Sequence, residues 1–213
     1  MQPTANLAPR SILAAIALIG ALALGAAGAG ARGARRTWDF EKDAPGRIAS
    51  GFTGAAGRWE VAEEGRRRVL CQKAESEDRT FNLALIDRTS YKNLDLSARL
   101  RAGSGRTDQG GGIVWRARDA RNYYIARYNP LEDNLRVYKV EDGKRTQLDH
   151  ADVPGDREWH TLRITMNDRE ILGYLDGKKL LVAEDSTFPD AGMIGLWTKS
   201  DARTCFDDLA VSE

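Results

Sequence analysis

The residues best suited to chemistry are concentrated in one stretch of the chain, residues 108–128, which reads DQGGGIVWRARDARNYYIARY. Two runs of alternating side chains, 113–118 and 123–128, flank a polar corner at 119–122, and this pattern is typical of a β-hairpin. Arginine and aromatic residues occur on both runs. Because proteins hold sugars with flat aromatic rings and with charged or amide groups that hydrogen-bond hydroxyls, the stretch is the first candidate for a ligand face.

The alternation of side chains along a strand predicts which residues share a face. We expect Ile113 and Trp115 to point into the core and Arg116 to point the opposite way, toward a groove. The predicted ligand-binding residues on the concave face of the sheet are Arg116, Tyr124, Arg136, Trp197 and Lys199, with Asp119 and Glu132 at the rim. The alternative is that the aromatic residues are ordinary core or cross-strand partners.

Acidic side chains raise the question of catalysis. A glycosidase needs two carboxyl groups that flank the scissile bond. The adjacent acidic pairs of this chain, such as Glu132-Asp133, place neighbouring residues on opposite faces of a strand or in a turn. No complete catalytic set is recognisable, so the catalytic residues stay unknown and Arg116, Asp119 and Glu132 are named as candidates.

Carboxylates near both ends of the folded part of the chain raise the question of a metal. Pairing of the terminal strands of a β-sandwich would bring Asp39 or Glu41 close to Asp207 or Asp208, and Ca²⁺ prefers carboxylate and carbonyl oxygens. A calcium site built from these residues is one hypothesis. The alternative is that the acids end strands and face solvent.

Short strands separated by turn residues account for the rest of the chain. The sequence predicts about fourteen strands with a turn every ~8–12 residues, and Asp142-Gly143 is a strong signal for a two-residue hairpin loop. No stretch keeps the period of a helix over several turns. These features favour an all-β fold, a jelly-roll sandwich of two antiparallel sheets that is closed by pairing of its first and last strands.

The N-terminal residues 1–31 differ from the remainder. A polar leader, an apolar run rich in Ala and Leu, and the cleavage motif Ala29-Gly30-Ala31 are typical of a secretory signal peptide. We therefore expect an exported protein, periplasmic or secreted, with a single domain at 32–213. Arginines that follow the apolar run favour the other interpretation, an uncleaved anchor, and only then would the protein contact a membrane.

Charge and cysteine content limit the partners and the compartment. The chain has 32 basic and 31 acidic residues, so it lacks the electrostatic footprint of a nucleic-acid-binding protein. Cys71 and Cys205 both lie in strand-like runs. In an oxidising compartment they would form one disulfide that closes a long loop, and the alternative is two buried free thiols.

Several runs taken together resemble a known family. The run GGGIVWRARDARNYYIARYNPLEDNLRVYKVEDGKR is followed by EWHTLRI, LDGKKLL and AGMIGLWTKSDARTCFDDLAV. In order and spacing these runs are similar to the 3-keto-disaccharide hydrolase domain, formerly a domain of unknown function, which belongs to the concanavalin A-like (laminin-G-like) jelly rolls. The resemblance covers the chain from Trp38 to Val211 and implies this fold and a glycan-associated role.

The resemblance leaves several functions open. The first is an exported domain that binds or processes a carbohydrate on its concave sheet. The alternatives are hydrolysis of 3-keto-glycosides or 3-keto-disaccharides, and a laminin-G-like structural or protein-interaction module. The E-x-D-x-x-E motif of the related glucanases is absent, which disfavours ordinary retaining glycosidase chemistry. Cleavage of a 3-keto sugar would need a base and an oxyanion stabiliser, for which Glu132 or Asp119 with Arg116 are the candidates.

Overall fold

The computed structural model describes residues 34–213 together with Met1. The predicted signal peptide or anchor, apart from Met1, lies outside the described residues. No helix in the described part of the chain is long and apolar enough to cross a membrane. The compact unit Arg32–Glu213 contains all of the strands given below.

Fifteen β-strands and no helix are found within residues 34–213. In chain order they are β1 Arg36–Trp38, β2 Phe52–Ala56, β3 Trp59–Glu64, β4 Arg67–Gln72, β5 Phe81–Ile86, β6 Leu94–Ser104, β7 Gly111–Asp119, β8 Asn122–Asn129, β9 Asn134–Glu141, β10 Lys144–Asp152, β11 His160–Asn167, β12 Glu170–Leu175, β13 Lys178–Glu184, β14 Met193–Lys199 and β15 Arg203–Ser212.

The strands form two sheets in which neighbouring strands are antiparallel. One sheet has eight strands, in the order β13-β12-β11-β6-β15-β4-β3, with β1 also paired to β15. The other has seven strands, in the order β10-β9-β8-β7-β14-β5-β2. The predicted all-β jelly-roll sandwich of two antiparallel sheets is confirmed, and so is the pairing of its first and last strands.

Two of the hairpin loops have the backbone conformation that their sequence predicts. Asp142 and Gly143, between β9 and β10, have φ angles of 50° and 80°, and Asp176 and Gly177, between β12 and β13, have 48° and 80°. Two successive residues with positive φ are typical of the type I′ turn, whose twist matches that of the paired strands. The first of these turns places β10, and with it Arg145, at one edge of the seven-stranded sheet.

The main hydrophobic core lies between the two sheets. Leu96 and Ile164 of the eight-stranded sheet pack there with Trp115 and Leu196 of the seven-stranded sheet, and all four are fully buried. Because side chains alternate between the faces of a sheet, the remaining apolar residues of the seven-stranded sheet form a separate cluster on its outer face. This second cluster includes Val114, Tyr123, Ile125, Tyr138 and Trp197.

A disulfide joins Cys71 on β4 to Cys205 on β15. The two residues are direct cross-strand partners with Cα atoms 4.1 Å apart, so the structure selects the bridge over the free thiols. The two cysteines are 134 residues apart in the sequence. Closing so long a loop restricts the unfolded chain and stabilises the folded state by about 3–5 kcal/mol.

Candidate functional site

A β-bulge in the hairpin of β7 and β8 determines which residues reach the outer face. Trp115 pairs directly with Tyr124, the next pair is Asp119 with Asn122, and Arg116 within the irregular segment has a φ of 46°. Directly opposed residues share a face of the sheet. Tyr124 therefore packs beside Trp115 between the sheets, with ring centroids 5.6 Å apart. The predicted position of Tyr124 on the ligand face is wrong, because its partner Trp115 fixes it on the core side.

Arg116 is buried and bound to main-chain carbonyls instead of facing a groove. Its Nε donates to the carbonyl of Lys92 at 2.7 Å, its Nη1 to Phe188 at 2.8 Å and its Nη2 to Asp168 at 2.7 Å. Burial lowers the pKa of the guanidinium. Arg116 thus ties three separate segments together, and its predicted exposure on the ligand face is wrong, whereas its predicted binding or catalytic role stays a prediction.

Asp119 and Glu132 lie near opposite ends of β8, so they do not share one rim. Asp119 belongs to the turn between β7 and β8, where its Oδ1 accepts hydrogen bonds from the main chain of Arg121 at 2.6 Å and from the side chain of Asn122 at 3.1 Å. Glu132 follows the other end of the strand and contacts Arg127. Only Glu132 belongs to the site that the structure assembles.

The outer face of the seven-stranded sheet brings together three of the predicted binding residues, Arg136, Trp197 and Lys199. The sequence analysis missed several of their neighbours, although the alternation that places Arg136 on this face also places Tyr138 there. We name the full set the outer-face cluster, and its members are Asp108, Arg127, Glu132, Arg136, Tyr138, Arg145, Trp197 and Lys199.

Arg127 on β8 lies at the centre of the outer-face cluster and is 0% exposed. Its Nη1 and Nη2 donate to the two carboxylate oxygens of Glu132, at 3.3 and 3.0 Å. Its Nη1 also lies 3.7 Å from the carboxylate of Asp108, and its Nη2 donates to Asn134 at 3.1 Å. Because a buried charge is tolerated only when it is paired, these partners hold the guanidinium in one position.

Gly112 makes room for this arrangement in the middle of the sheet. It pairs with Arg127 on one side and with Trp197 on the other. A Cβ atom at this position would collide with the carbonyl oxygen of Ala126. The glycine at position 112, near the start of β7, is therefore required by the close approach of β7 and β8 at the cluster.

The charges of the cluster shift the pKa values of its two carboxyl groups in opposite directions. Burial disfavours ionisation of Glu132, but hydrogen bonds and charge from Arg127 outweigh it and lower the pKa to about 2. Asp108 is more deeply buried, and desolvation outweighs the attraction of Arg127, so its pKa is raised. Glu132 is consequently an ionised hydrogen-bond acceptor at any physiological pH.

Aromatic rings support the guanidinium of Arg145 on β10. Its Cζ atom lies 4.3 Å from the ring centroid of Tyr138, 5.6 Å from that of Phe81 and 5.9 Å from that of Trp197. The indole Nε1 of Trp197 donates to the hydroxyl of Tyr123 at 3.2 Å. Contact between a guanidinium and ring faces is favourable, particularly where water is excluded.

Three guanidinium nitrogens of the outer-face cluster are buried and have no acceptor in the described part of the protein. They are Nε of Arg127, Nε of Arg136 and Nη1 of Arg145. Buried donors on charged groups normally have a partner. Arg136 and Arg145 reach the surface with other parts of their side chains, so they, and not Arg127, are the ligand candidates.

The predicted calcium ligands lie around an arginine. Arg67 Nη2 is 3.0 Å from Asp207 and 2.9 Å from Asp208, and its Nε is 3.7 Å from Glu41. Asp39 accepts a hydrogen bond from the main chain of Glu41 at 3.2 Å. Burial raises the pKa of Asp207 to about 6. Residues 34–213 contain no group of three or more acidic, histidine or cysteine side chains placed to hold a metal, and the calcium hypothesis stays a prediction.

The fold and the cluster together define a class, a two-sheet antiparallel jelly roll that carries charged and aromatic side chains on the outer face of one sheet. No family model matches the chain, and no curated protein matches it in sequence. The proposed membership of the 3-keto-disaccharide hydrolase family therefore stays a prediction.

Solved structures of the same fold are found among proteins connected with carbohydrates. The carbohydrate binding module CBM66 from Bacillus subtilis aligns with a TM-score of 0.67 and 21% identity over 76% of this chain and 96% of that module. The GH43 BlXynB protein from Bacillus licheniformis gives 0.62 and 16% over 82% of this chain and 38% of its own. A putative glycosyl hydrolase from Parabacteroides distasonis gives 0.55 and 15%, over 83% and 98%. Because these sequence identities are low, the structural similarity establishes the fold alone.

Substitution of Arg116 and Arg136 tests which of the two supports the fold and which is free to bind a ligand. We expect Arg116→Ala to lower the free energy of unfolding by about 2–4 kcal/mol, because three main-chain carbonyls lose a charged donor. Arg136→Ala should cost less than about 1 kcal/mol, because Arg136 is a partly exposed ion-pair partner. Urea unfolding of both variants measures the difference. Equal losses of stability would contradict the roles assigned here.

The pairing of Glu132 with Arg127 predicts a specific dependence of stability on pH. The pKa of Glu132 is lowered in the folded state, so its ionised form stabilises the fold fully above pH 4.5 and this contribution is lost as the pH falls toward 2. The difference in unfolding free energy between the wild type and Glu132→Gln should thus be at its full size above about pH 5 and shrink on acidification toward pH 2. The matched control is Glu170→Gln, at an exposed acid on β12. A difference that is constant with pH would show that the pair is not formed.

Proposed function

We propose that the protein is an exported carbohydrate-binding domain that holds a sugar on its outer-face cluster. The observation that carries the proposal is the position of Arg136 and Glu132 at the surface of the seven-stranded sheet, where buried Arg127 fixes Glu132 from behind. The likeness of the fold to a carbohydrate binding module supports the proposal.

The two surface residues offer a donor and an acceptor side by side. Arg136 Nη1 lies 3.3 Å from a carboxylate oxygen of Glu132, and the two side chains are 31% and 38% exposed. Neighbouring hydroxyls of one sugar ring can accept from the guanidinium and donate to the carboxylate. Because the hydrogen bonds of Arg127 already hold Glu132, binding would cost little side-chain entropy.

The aromatic members of the cluster support this recognition from below. Tyr138 and Trp197 are only 4% and 0% exposed, so neither offers a free ring face for stacking on a sugar. Tyr138 instead lies under Arg145 and places its hydroxyl 3.4 Å from Arg136 Nη1. We therefore assign Trp197 and Tyr138 to positioning the guanidinium groups, and the sugar contacts to the charged residues.

Hydrolysis of 3-keto-glycosides is the second candidate, and the same geometry disfavours it. An efficient general base has a pKa near the working pH. Glu132 has a pKa of about 2 and accepts hydrogen bonds from Arg127, so it is a poor base. Asp119, the other proposed base, lies in the distant turn between β7 and β8. Binding without turnover is the function that the site supports best.

Two observations support the proposal of export. The sequence of residues 1–31 is typical of a signal peptide. The Cys71–Cys205 disulfide is a feature that persists in oxidising compartments and is rare in the cytosol. Export would place the outer-face cluster where glycans of the cell envelope or the surroundings are found.

Binding to a glycan panel, followed by titration calorimetry of any ligand found, tests the proposed site. We expect Arg136→Ala to weaken binding at least tenfold, because loss of a charged hydrogen bond costs roughly 1.5–3 kcal/mol. The matched control is Arg163→Ala on the eight-stranded sheet, which has a similar exposure of 39% and an equivalent ion pair with Asp95 at 2.7 Å. The control should bind within about twofold of the wild type, since a tenfold change corresponds to 1.4 kcal/mol.

Three other results would contradict the proposed site or function. Equal affinity of Arg136→Ala and the wild type would move the site elsewhere on the sandwich. Release of free sugar from a 3-keto-glucoside, lost in Glu132→Gln, would replace the binding role with the hydrolase role. Absence of any glycan ligand would favour the third possibility, a laminin-G-like interaction module.

A further inference from the structure

Arg145 has an environment unlike that of the other cations of the outer-face cluster. Arg127 and Arg136 both contact Glu132, and Lys199 lies 3.7 Å from Asp108 and 3.5 Å from Asp78. Arg145 forms no ion pair and no side-chain hydrogen bond within residues 34–213. It is partly buried, and its guanidinium is stacked on rings that cannot neutralise its charge.

The surroundings of Arg145 destabilise its own positive charge. Burial is the largest effect on the pKa of its guanidinium and lowers it, and the positive charge of Arg127 also lowers it. Tyr138 opposes this shift more strongly than Arg127 adds to it, and Asp108 and Glu132 oppose it more weakly, so the pKa remains lowered. A partly desolvated cation that lies beside a second cation is expensive unless an anion balances it. An anion bound next to Arg145 would therefore stabilise its positive charge.

The charge balance of the whole cluster also favours binding of an anion. Its positive members are Arg127, Arg136, Arg145 and Lys199, and its negative members are Asp108 and Glu132, joined at the edge by Asp78. The four positive charges exceed the three negative ones, and Arg145, which lies beside Arg136, is the cation that has no acidic partner within residues 34–213. Both of these side chains contact Tyr138, Arg136 at its hydroxyl and Arg145 over its ring, so they lie close to one another.

The spare hydrogen-bonding capacity at this place consists of donors. Nε of Arg136 and Nη1 of Arg145 are buried without an acceptor, and no buried acceptor of the outer-face cluster lacks a donor. A neutral sugar brings hydroxyls that are donors as well as acceptors, whereas a carboxylate or sulfate brings acceptors alone. Unpaired donors with excess positive charge therefore match an anionic group better than a neutral one.

We propose that Arg145 and Arg136 form an anion subsite, and that the carbohydrate ligand is an acidic glycan whose carboxylate or sulfate group binds between them. The inference rests on the proposed function and names its ligand class. In this arrangement Glu132 accepts from a hydroxyl of the same or the adjoining sugar ring. The acidic group supplies the counter-ion that Arg145 lacks.

A pair of ligands that differ only in charge tests the anion subsite. Uronate oligosaccharides, such as those of galacturonate, guluronate and glucuronate, are compared with their neutral methyl esters, and sulfated oligosaccharides with their desulfated forms. We expect at least tenfold tighter binding of the anionic member of a pair, and an affinity that falls as sodium chloride is raised, because salt screens such contacts. The two series distinguish carboxylate from sulfate as the bound group.

Variants of the full chain connect the effect to Arg145. In Arg145→Gln the preference for the charged ligand over its neutral form should fall at least fivefold, while Arg163→Gln retains it. Circular dichroism and the urea midpoint show whether each variant is folded, and Arg145→Lys should restore part of the preference because it restores the charge.

The failures of the two proposals are distinguishable. Equal or better binding of the neutral member, with Arg136→Ala still weakening it, would overturn the anion subsite and leave the carbohydrate-binding role intact. A preference for the anionic ligand that survives in Arg145→Gln would also overturn the subsite. Absence of binding to every neutral and acidic glycan would overturn both.

Discussion

The buried ion cluster around Arg127 is the interaction on which the outer face of the seven-stranded sheet depends. A guanidinium without contact to solvent is stable here only because Glu132, Asp108 and Asn134 surround it. The same contacts fix Glu132 in its ionised form and orient Arg136 beside it. The buried charge of Arg127, which a ligand would not touch, therefore determines how the side chains at the surface are arranged.

The rest of the sandwich brings these partners together from distant parts of the chain. Asp108 precedes β7, Arg127 lies on β8, and Glu132 belongs to the connection between β8 and β9. Trp197 comes from β14, which pairs with β7 through the register that puts it beside Gly112. The disulfide and the paired terminal strands secure the other sheet. The packing between the sheets thus provides a support for the outer face, which is the surface that the proposed function assigns to the ligand.

Local patterns in the sequence were sufficient for the fold and insufficient for the site. Alternating runs and turn dipeptides such as Asp142-Gly143 carry strand and hairpin information within a few residues, so the sandwich was predictable. The face on which each residue of the central hairpin lies was harder to predict, because the bulge at Arg116 interrupts the alternation. The pairing of Trp115 with Tyr124 then determines which side is buried.

Long-range pairing explains the remaining differences. Nothing near Arg116 in the sequence indicates that three distant carbonyls will bind it, so an arginine inside a strand looked like a ligand contact. Arg127 was overlooked for the converse reason, since its buried position depends on Asp108, which precedes β7, and on Glu132, which follows β8. Arg136, Trp197 and Lys199 do share the outer face, since Arg136 alternates with Tyr138 along β9 and Trp197 with Lys199 along β14.

The role of aromatic residues also differs from the expectation based on composition. Tyr138 and Trp197 contribute ring faces to arginine side chains and leave little surface for a sugar. A site of this kind recognises a ligand through directed hydrogen bonds and charge, and these interactions discriminate strongly between ligands that do and do not supply the matching group. Such a surface suits a selective binding domain.

The most direct test of the account is to observe the side-chain Nε–H signals of the arginines by nuclear magnetic resonance during titration with a bound glycan. The unused Nε–H donor of Arg136 predicts that its signal shifts and exchanges more slowly with water as the ligand binds. The signal of Arg163, whose Nε already donates to Asp95, should not move. Binding that leaves the signal of Arg136 unchanged would show that the outer-face cluster is not the ligand site.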